Sequence, residues 1–333
     1  TEQYAKFASD FVQMSLDKDQ ADNLAAYMET SDSASSRNFA GLNINSPLAD
    51  IIWGNLNPQL SKAGIPIIKD INETTASISV EYEITAPDEN GNAEYYLVTD
   101  FYRMRYDETR IRLLDFERSA TQVFAPSRSV ISNSGLILGV RSKNVDYMTN
   151  EEGSVTAFTQ NGDLWSYAPD TGKFVEIFTF RKNENSDFRD ARVEHDIKIL
   201  DVDEGGNVKF AVYGYMNRGR HEGETGIQIL SYDNSLNTIE EEVYIPYFKS
   251  YAVLKDEMNQ LLYQNRQQHL YFFLENGVYD VDLENRSAAQ LVSIHQDDSL
   301  QVSENHEIIV WQEGDDINHS SQLNVRNLNT GEQ

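Results

Sequence analysis

Apolar positions in the first thirty residues recur with helical spacing: Tyr4, Phe7, Phe11 and Met14, then Leu24, Ala25 and Met28 after the polar "DKDQ". Steps of three and four residues lay these side chains along one stripe of an α-helix, which predicts two short helices joined near Asp17–Asp22. A further helix is predicted from Ser46-Pro47 through "LADIIWGNLNPQLS", with Ser46 as its cap and a break near Pro58. After Gly64 the period changes to two. "IPIIKDI", "SISVEYEIT", "AEYYLVTDFYRMRY" and "RIRLLDF" alternate apolar and polar residues, and "DENGN" and "DETR" supply turns between the last three. Helices followed by an antiparallel meander predict an α+β module over residues 1–118.

From residue 126 helical periodicity is lost and a four-strand order repeats. "SGLILGVRS", "SVTAFTQ", "DLWSYAP" and "KFVEIFTF" form one set, and "DIKILDVD", "NVKFAVYGYM", "GIQILSYD" and "IEEEVYIPY" the next. "NQLLYQN", "HLYFFLEN", "VYDVDLEN" and "AAQLVSI" form a third. A fourth set, "SLQVSEN", "EIIVWQE" and "QLNVRNL", lacks its last strand. The turns "PDTGK", "DNSLN", "LENRS" and "LNTGE" recur at the same place in each set, at a spacing in the range of propeller blades. The Asn-Gly dipeptides 161–162 and 276–277 then mark equivalent second-to-third-strand hairpins, with Phe158 and Phe273 at equivalent positions and both glycines expected at positive φ.

The fold expected from these patterns is an α+β N-terminal module (1–118) followed by all-β, antiparallel four-stranded β-propeller blades (119–333) that form an incomplete propeller. An open final blade leaves an unpaired edge. Either the chain continues, or a strand from elsewhere closes the ring. "SATQVFAP" at 119–126 resembles "SAAQLVSI" at 287–294 and could be that strand, or could end an additional blade built from 77–125.

Two resemblances follow from these residues. The order "FASDFVQMSLDKDQADNLAAYM", "IIKDINETTASISVEYEI" and "RIRLLDF" resembles the nuclear-transport-factor-like superfamily of cone-shaped α+β domains. The repeats resemble β-propellers of the broad Trp-Asp-repeat and quinoprotein-like kind, without the Gly-His and Trp-Asp signatures. The texture of "FYRMRYDETRIRLLDFER" and "VYGYMNRGRHEG" is similar to uncharacterised envelope-attached propeller proteins of Gram-positive anaerobes, a likeness that implies a location and no activity.

Charge narrows the function. The 333 residues carry 27 Lys and Arg against 54 Asp and Glu, a net charge of −27. The excess is even, with 10 basic and 20 acidic residues in 1–118. A field of this sign repels phosphate backbones and anionic lipid, and no apolar run approaches the ~18 residues needed to span a bilayer, so nucleic acid, peripheral membrane binding and direct membrane insertion are not expected. There is no cysteine, which removes disulfides, thiolate catalysis and Cys-ligated zinc. The opening "TEQYAKFASDF" lacks a signal-peptide layout and suits a trimmed ectodomain, extracellular or at the cell surface, anchored by a segment outside this chain.

Candidate chemistry is sparse. No G-x-S-x-G elbow or phosphate-binding glycine loop is present, the six histidines are scattered, and no cofactor is expected. In "DVDEGGN", Asp201 and Asp203 alternate ahead of glycines as in a calcium loop, but the closing Glu is missing and a hairpin turn accounts for the same residues. "NVDYMTNEEGS" reads as a turn, and Trp165 and Trp311 as core. One constellation stands out. In a four-stranded blade the second-to-third-strand loop and the link to the next blade emerge on one face. That geometry brings "RKNENSDFRDARVE" and "NRGRHEGETG" together, with Arg181, Lys182, Arg189, Arg192, Arg218, Arg220 and His221. Guanidinium forks suit carboxylates or phosphates, although interspersed Asp and Glu could neutralise them. The expected function is a non-catalytic extracytoplasmic binding or scaffolding protein that uses these loops to bind an anionic partner or ligand, a protein or cell-envelope polymer. A cell-envelope hydrolase and a ligand-sensing ectodomain are the alternatives.

Overall fold

The computed structural model describes residues 2–29, 39–88, 90–107, 109–126, 130–132, 135–138, 145–182, 187–275, 277–294, 300–313 and 322–333. The chain divides into two compact units, Thr1–Val145 with Phe178–Val193, and Asp146–Ile177 with Glu194–Gln333.

In the first unit, α1 (Glu2–Leu16) buries Tyr4, Ala8, Phe11, Val12 and Ser15, the stripe its spacing predicts. A 3-10 turn at Lys18–Gln20, where the Asp17 carboxylate accepts from the Asp19 amide, leads into α2 (Ala21–Ala25). The strands are β1 (Gly41–Asn43), β2 (Gln59–Lys62), β3 (Ile67–Ile71), β4 (Thr75–Pro87), β5 (Ala93–Tyr106) and β6 (Ile111–Gln122), with α3 (Leu48–Ile51) between β1 and β2. They form one antiparallel sheet in the order β1-β6-β5-β4-β2, with β3 also paired to β4. The long helix expected from Ser46 is a single turn. Ser46 is not its cap, because its hydroxyl accepts from the Asn43 amide, and Pro47 precedes the helix. Trp53, Gly54 and Asn57 then adopt left-handed φ values of 65°, 51° and 48°, which end the helix and turn the Trp53 ring into the core.

Strand β6 runs to Gln122, which pairs with Tyr96, and the Val123 amide donates to Tyr95. Residues 119–122 therefore belong to this sheet, and 77–122 form its β4-β5-β6 meander rather than an extra blade. Residues 178–193 return to the same unit through a 3-10 turn at Phe188–Ala191. Lys62 meets Asp190 at 3.2 Å and Glu83 at 3.5 Å, and the Val193 amide donates to Glu81 Oε2 at 3.1 Å. The compact unit thus reaches 145 rather than 118 and also takes in 178–193, whose contacts with β2 and β4 join residues far apart in sequence and are invisible to local pattern.

Next in the chain, β7 (Ile131–Ser132) and β8 (Gly135–Leu136) pair only with each other. The pattern places the opening strand of the first blade at 134–142, of which 134 and 139–142 lie outside the described residues. Its place is taken by β9 (Tyr147–Thr149), followed by β10 (Thr156–Gln160), β11 (Asp163–Ala168) and β12 (Lys173–Phe178). The second unit continues with β13 (His195–Val202), β14 (Val208–Tyr215), β15 (Thr225–Asp233) and β16 (Thr238–Tyr247). Next come α4 (Tyr251–Gln260), β17 (Leu262–Gln264), β18 (His269–Leu274), β19 (Gly277–Asp282) and β20 (Ser287–Ser293). A three-stranded sheet of β21 (Leu300–Val302), β22 (Ile308–Glu313) and β23 (Gln322–Asn327) follows. Each of the three four-stranded sheets is an antiparallel meander in chain order, the topology of a propeller blade. Successive blades share cores. Ile227 and Ile229 of β15 pack with Phe272 and Leu274 of β18, and Val278 and Val292 with Ile309 and Trp311.

Helix α4 falls where the sequence reading placed none. Leu254 and Met258, four residues apart, are buried in the core between the second and third blades. Among the described residues no helix is long and apolar enough to cross a membrane.

The two Asn-Gly hairpins also differ. Gln160 pairs with Asp163, so Asn161 (φ 52°) and Gly162 (φ 79°) form the turn. In the third blade Leu274 pairs with Gly277, so the turn begins at Glu275 (φ 53°) and Gly277 is the first residue of β19, without positive φ. Asn276 lies outside the described residues. Phe272, two positions before the turn-closing pair, is thus the counterpart of Phe158, and Phe273 points to the other face. Strand β18 is apolar on both faces, so polarity does not fix its register.

Candidate functional site

The expected cationic constellation is divided between the two units: Arg181, Lys182, Arg189 and Arg192 lie in the first, Arg218, Arg220 and His221 in the second. In the first unit, Asp187 accepts from the Arg189 amide, Nε and Nη2, the last at 2.6 Å. Arg181 is largely shielded beside Glu83 and Asp190. Burial lowers its pKa, and the two carboxylates oppose that shift. The Lys182 amide donates to Asp190. In the second unit, the β14–β15 loop brings Arg220 and His221 onto Glu241 of β16. His221 Nε2 lies 3.0 Å from its carboxylate and Arg220 Nη1 3.8 Å, while Nδ1 of His221 faces Glu224 at 3.5 Å. The His221 ring stacks on Tyr244 with centroids 3.5 Å apart. Burial would raise the Glu241 carboxyl, but Gln228, His221 and Arg220 hold it below its ordinary value. Arg192 and Arg218 each take part in at least one interaction.

Asp203 accepts from both the amide and the side chain of Asn207 at 2.8 Å, with Gly206 at φ 76°, and Asp201 lies opposite Lys209 in the β13–β14 pair. This is hairpin chemistry, and among the described residues no group of three His, Asp or Glu is arranged to hold a metal ion. The remaining histidine contacts run to a carboxylate, His269 Nδ1 to Asp280 at 2.7 Å, and to a main-chain carbonyl, His195 Nε2 to Gly162 O at 2.7 Å.

The polar groups of the first unit converge in its interior. Arg118, fully buried, donates through Nε and Nη2 to the two oxygens of Asp100 at 2.7 Å each, through Nη1 to the Ile51 carbonyl at 2.8 Å and through Nη2 to Ser15 Oγ at 3.2 Å. Tyr102 and Tyr82 donate to the same carboxylate at 2.8 and 3.1 Å, and the guanidinium lies 4.7 Å from the Trp53 ring centroid. Arg118, Asp100, Tyr82, Tyr102 and Ser15 thus satisfy one another, as a buried ion pair requires, while the buried Trp53 Nε1 has no partner.

A cavity of about 370 Å³ lies in the second unit. Met148 from β9, Lys198, Ile199 and Leu200 from β13, Leu262–Gln264 of β17, Asn265 and Arg266 in the turn after it, and Leu270 of β18 line it. The first strands of three successive blades meet here. Its size is at the small end of the ~300–1,000 Å³ typical of ligand pockets, and an apolar wall with few polar groups is the usual composition. Its charged lining residues are both cations, and no carboxylate is among its described lining residues. Lys198 pairs with Asp146 at 2.8 Å. Arg266 is exposed and makes no ion pair or side-chain hydrogen bond among the described residues. Gln264 donates through Nε2 to Gln268 at 3.2 Å, while its shielded Oε1 accepts nothing. Sequence reasoning passed over Lys198 and Arg266, which sit singly in "DIKILDVD" and "LLYQNRQQH". The available signal was position: both lie on or just after the first strand of a blade.

No family model matches the sequence, and no curated protein does. Among solved structures, the chain is similar to the tricorn protease at 11% identity and a TM-score of 0.28, over 80% of this chain and 25% of that one. Oligogalacturonate lyase in complex with manganese gives 10% and 0.31 over 80% and 96%, and TolB from Acinetobacter baumannii 10% and 0.29 over 80% and 66%. The chain therefore spans a quarter of the tricorn protease, and likenesses this distant assign no activity.

Proposed function

We propose that the protein is a non-catalytic binding protein that acts outside the cytoplasm and holds an anionic ligand or partner on its blade unit. The observation that carries this reading is the cavity where three first strands meet. In a chain of net charge −27, its charged lining is cationic. Long-range repulsion from the acidic surface makes such a site selective, because an anion gains only where the local field reverses. Arg220 and His221 of the β14–β15 loop, already engaged by Glu241, add little charge of their own, so the weight moves from the loops to the cavity. The extracytoplasmic location rests on the sequence likeness to envelope-attached propeller proteins. Helices over one antiparallel sheet support the nuclear-transport-factor-like reading of the first unit.

The test is calorimetric titration of the full chain at low and at physiological salt with polyglutamate, hyaluronate and small carboxylates, alongside neutral and cationic counterparts. Anions alone should bind, and more tightly at low salt, where screening is weakest. Equal binding of the neutral counterparts, or chemical consumption of a bound anion, would overturn the reading.

A further inference from the structure

We propose that the cavity takes a small organic monocarboxylate with an apolar body and a hydrogen-bond donor, the carboxylate on Arg266 and the donor on Gln264 Oε1. This rests on the binding reading above. Lys198 is neutralised by Asp146, which leaves Arg266 as the one lining cation without a partner among the described residues. A single guanidinium presents a planar fork that matches a carboxylate, and one uncompensated charge suits a monoanion better than a phosphate dianion. Gln264 supplies the second pole. A shielded carbonyl oxygen with no donor is destabilising, and a ligand hydroxyl or amide would satisfy it. Gln264 ends β17 and Arg266 lies in the turn that follows, so both poles border the same cavity. Between and around them, Met148, Leu200, Leu262 and Leu270 offer an apolar wall for the body of the ligand.

The probe is 4-hydroxyphenylacetate, which has a carboxylate, a ring and a phenolic donor. It carries its carboxylate and its donor at opposite ends of the ring, and it is titrated into the full chain beside 4-methoxyphenylacetate, 4-hydroxyphenylacetamide, tyramine and phenyl phosphate. The hydroxyacid should bind most tightly, the methoxy analogue about fivefold more weakly because it cannot donate, and the amide and amine at least about tenfold more weakly. Arg266→Ala should weaken the hydroxyacid about tenfold with the melting temperature unchanged, since the side chain is exposed. Gln264→Leu should weaken the hydroxyacid about fivefold and the methoxy analogue not at all. If Gln264→Leu does not fold, the methoxy comparison on the native chain decides the donor pole. Equal affinity for acid and amide, an undiminished Arg266→Ala complex, or preference for phenyl phosphate would overturn the assignment. If polyglutamate or hyaluronate binds while 4-hydroxyphenylacetate does not, this assignment falls and the broader binding reading stands. If no anion binds, both fall.

Discussion

Two glycines in look-alike dipeptides are required for different reasons. Gly162 needs its left-handed φ of 79°, which a side chain strains. Gly277 has ordinary φ but no room: a Cβ there would stand 2.7 Å from the Val292 carbonyl and 2.3 Å from Gln290 Nε2. Replacement of Gly162 by Ala should cost about 1 kcal/mol. Gly277→Ala should cost more, because the β19–β20 pair must open to relieve the main-chain contact, and shortening Gln290 to Ala in the same chain should recover only part of the loss. Urea denaturation of the three variants checks the order. Equal costs, or full recovery in the double variant, would show that the main-chain contact is not what selects glycine.

At the level of elements, α1, the loop after α3 and strands β4 to β6 are bolted together by one charge pair. Burial and the adjacent Asp100 carboxylate push the Tyr82 and Tyr102 hydroxyls well above the ordinary tyrosine range, with Arg118 opposing. In the unfolded chain both titrate near pH 10. Above that pH the unfolded state holds fewer protons than the native one, so the stability these hydroxyls contribute is complete below pH 10 and is lost as pH rises, by up to about 1.4 kcal/mol per pH unit for each. Chemical denaturation of the wild type should therefore show falling stability between pH 10 and 11. Tyr82→Phe and Tyr102→Phe should each flatten the slope, and an unchanged slope in both would place the alkaline sensitivity elsewhere.

Taken whole, the chain crosses between its two units at three places, and the first unit is completed by a segment that follows the four strands of the first blade. Lys62, Glu81 and Glu83 depend on that return: without 178–193, Lys62 loses Asp190 and Glu81 loses the Val193 amide. A fragment ending at 145 should fold, since its apolar core from α1 to β6 is intact, but melt below the first unit of the full chain, by an amount corresponding to ~1–3 kcal/mol. Differential scanning calorimetry of the fragment, with and without a peptide spanning 178–193 in trans, is the measurement. Identical melting of the fragment and the parent unit would mean that the return segment only rests on the module.

Local alternation was enough to set the meander of β3 to β6 and nearly every strand of the second and third blades, because each has one polar and one apolar face or a turn of fixed chemistry at its end. The recurring "PDTGK"-type turns marked the third-to-fourth-strand connections for the same reason. Where both faces are buried, as in β18, the pattern is silent and the register slipped by one residue. Helix α4 was missed because only Leu254 and Met258 anchor it among polar residues, too short a stripe to read without the blades it packs between. The first strand of the first blade, the return of 178–193 and the pairing of Arg118 with Asp100 depend on contacts across long stretches of chain, which no window can contain. The candidate site belongs to that second group. Lys198, Gln264 and Arg266 are unremarkable in the sequence and become a site only when three first strands converge, since a cavity is a property of how blades are stacked and the sequence alone determines only the blades.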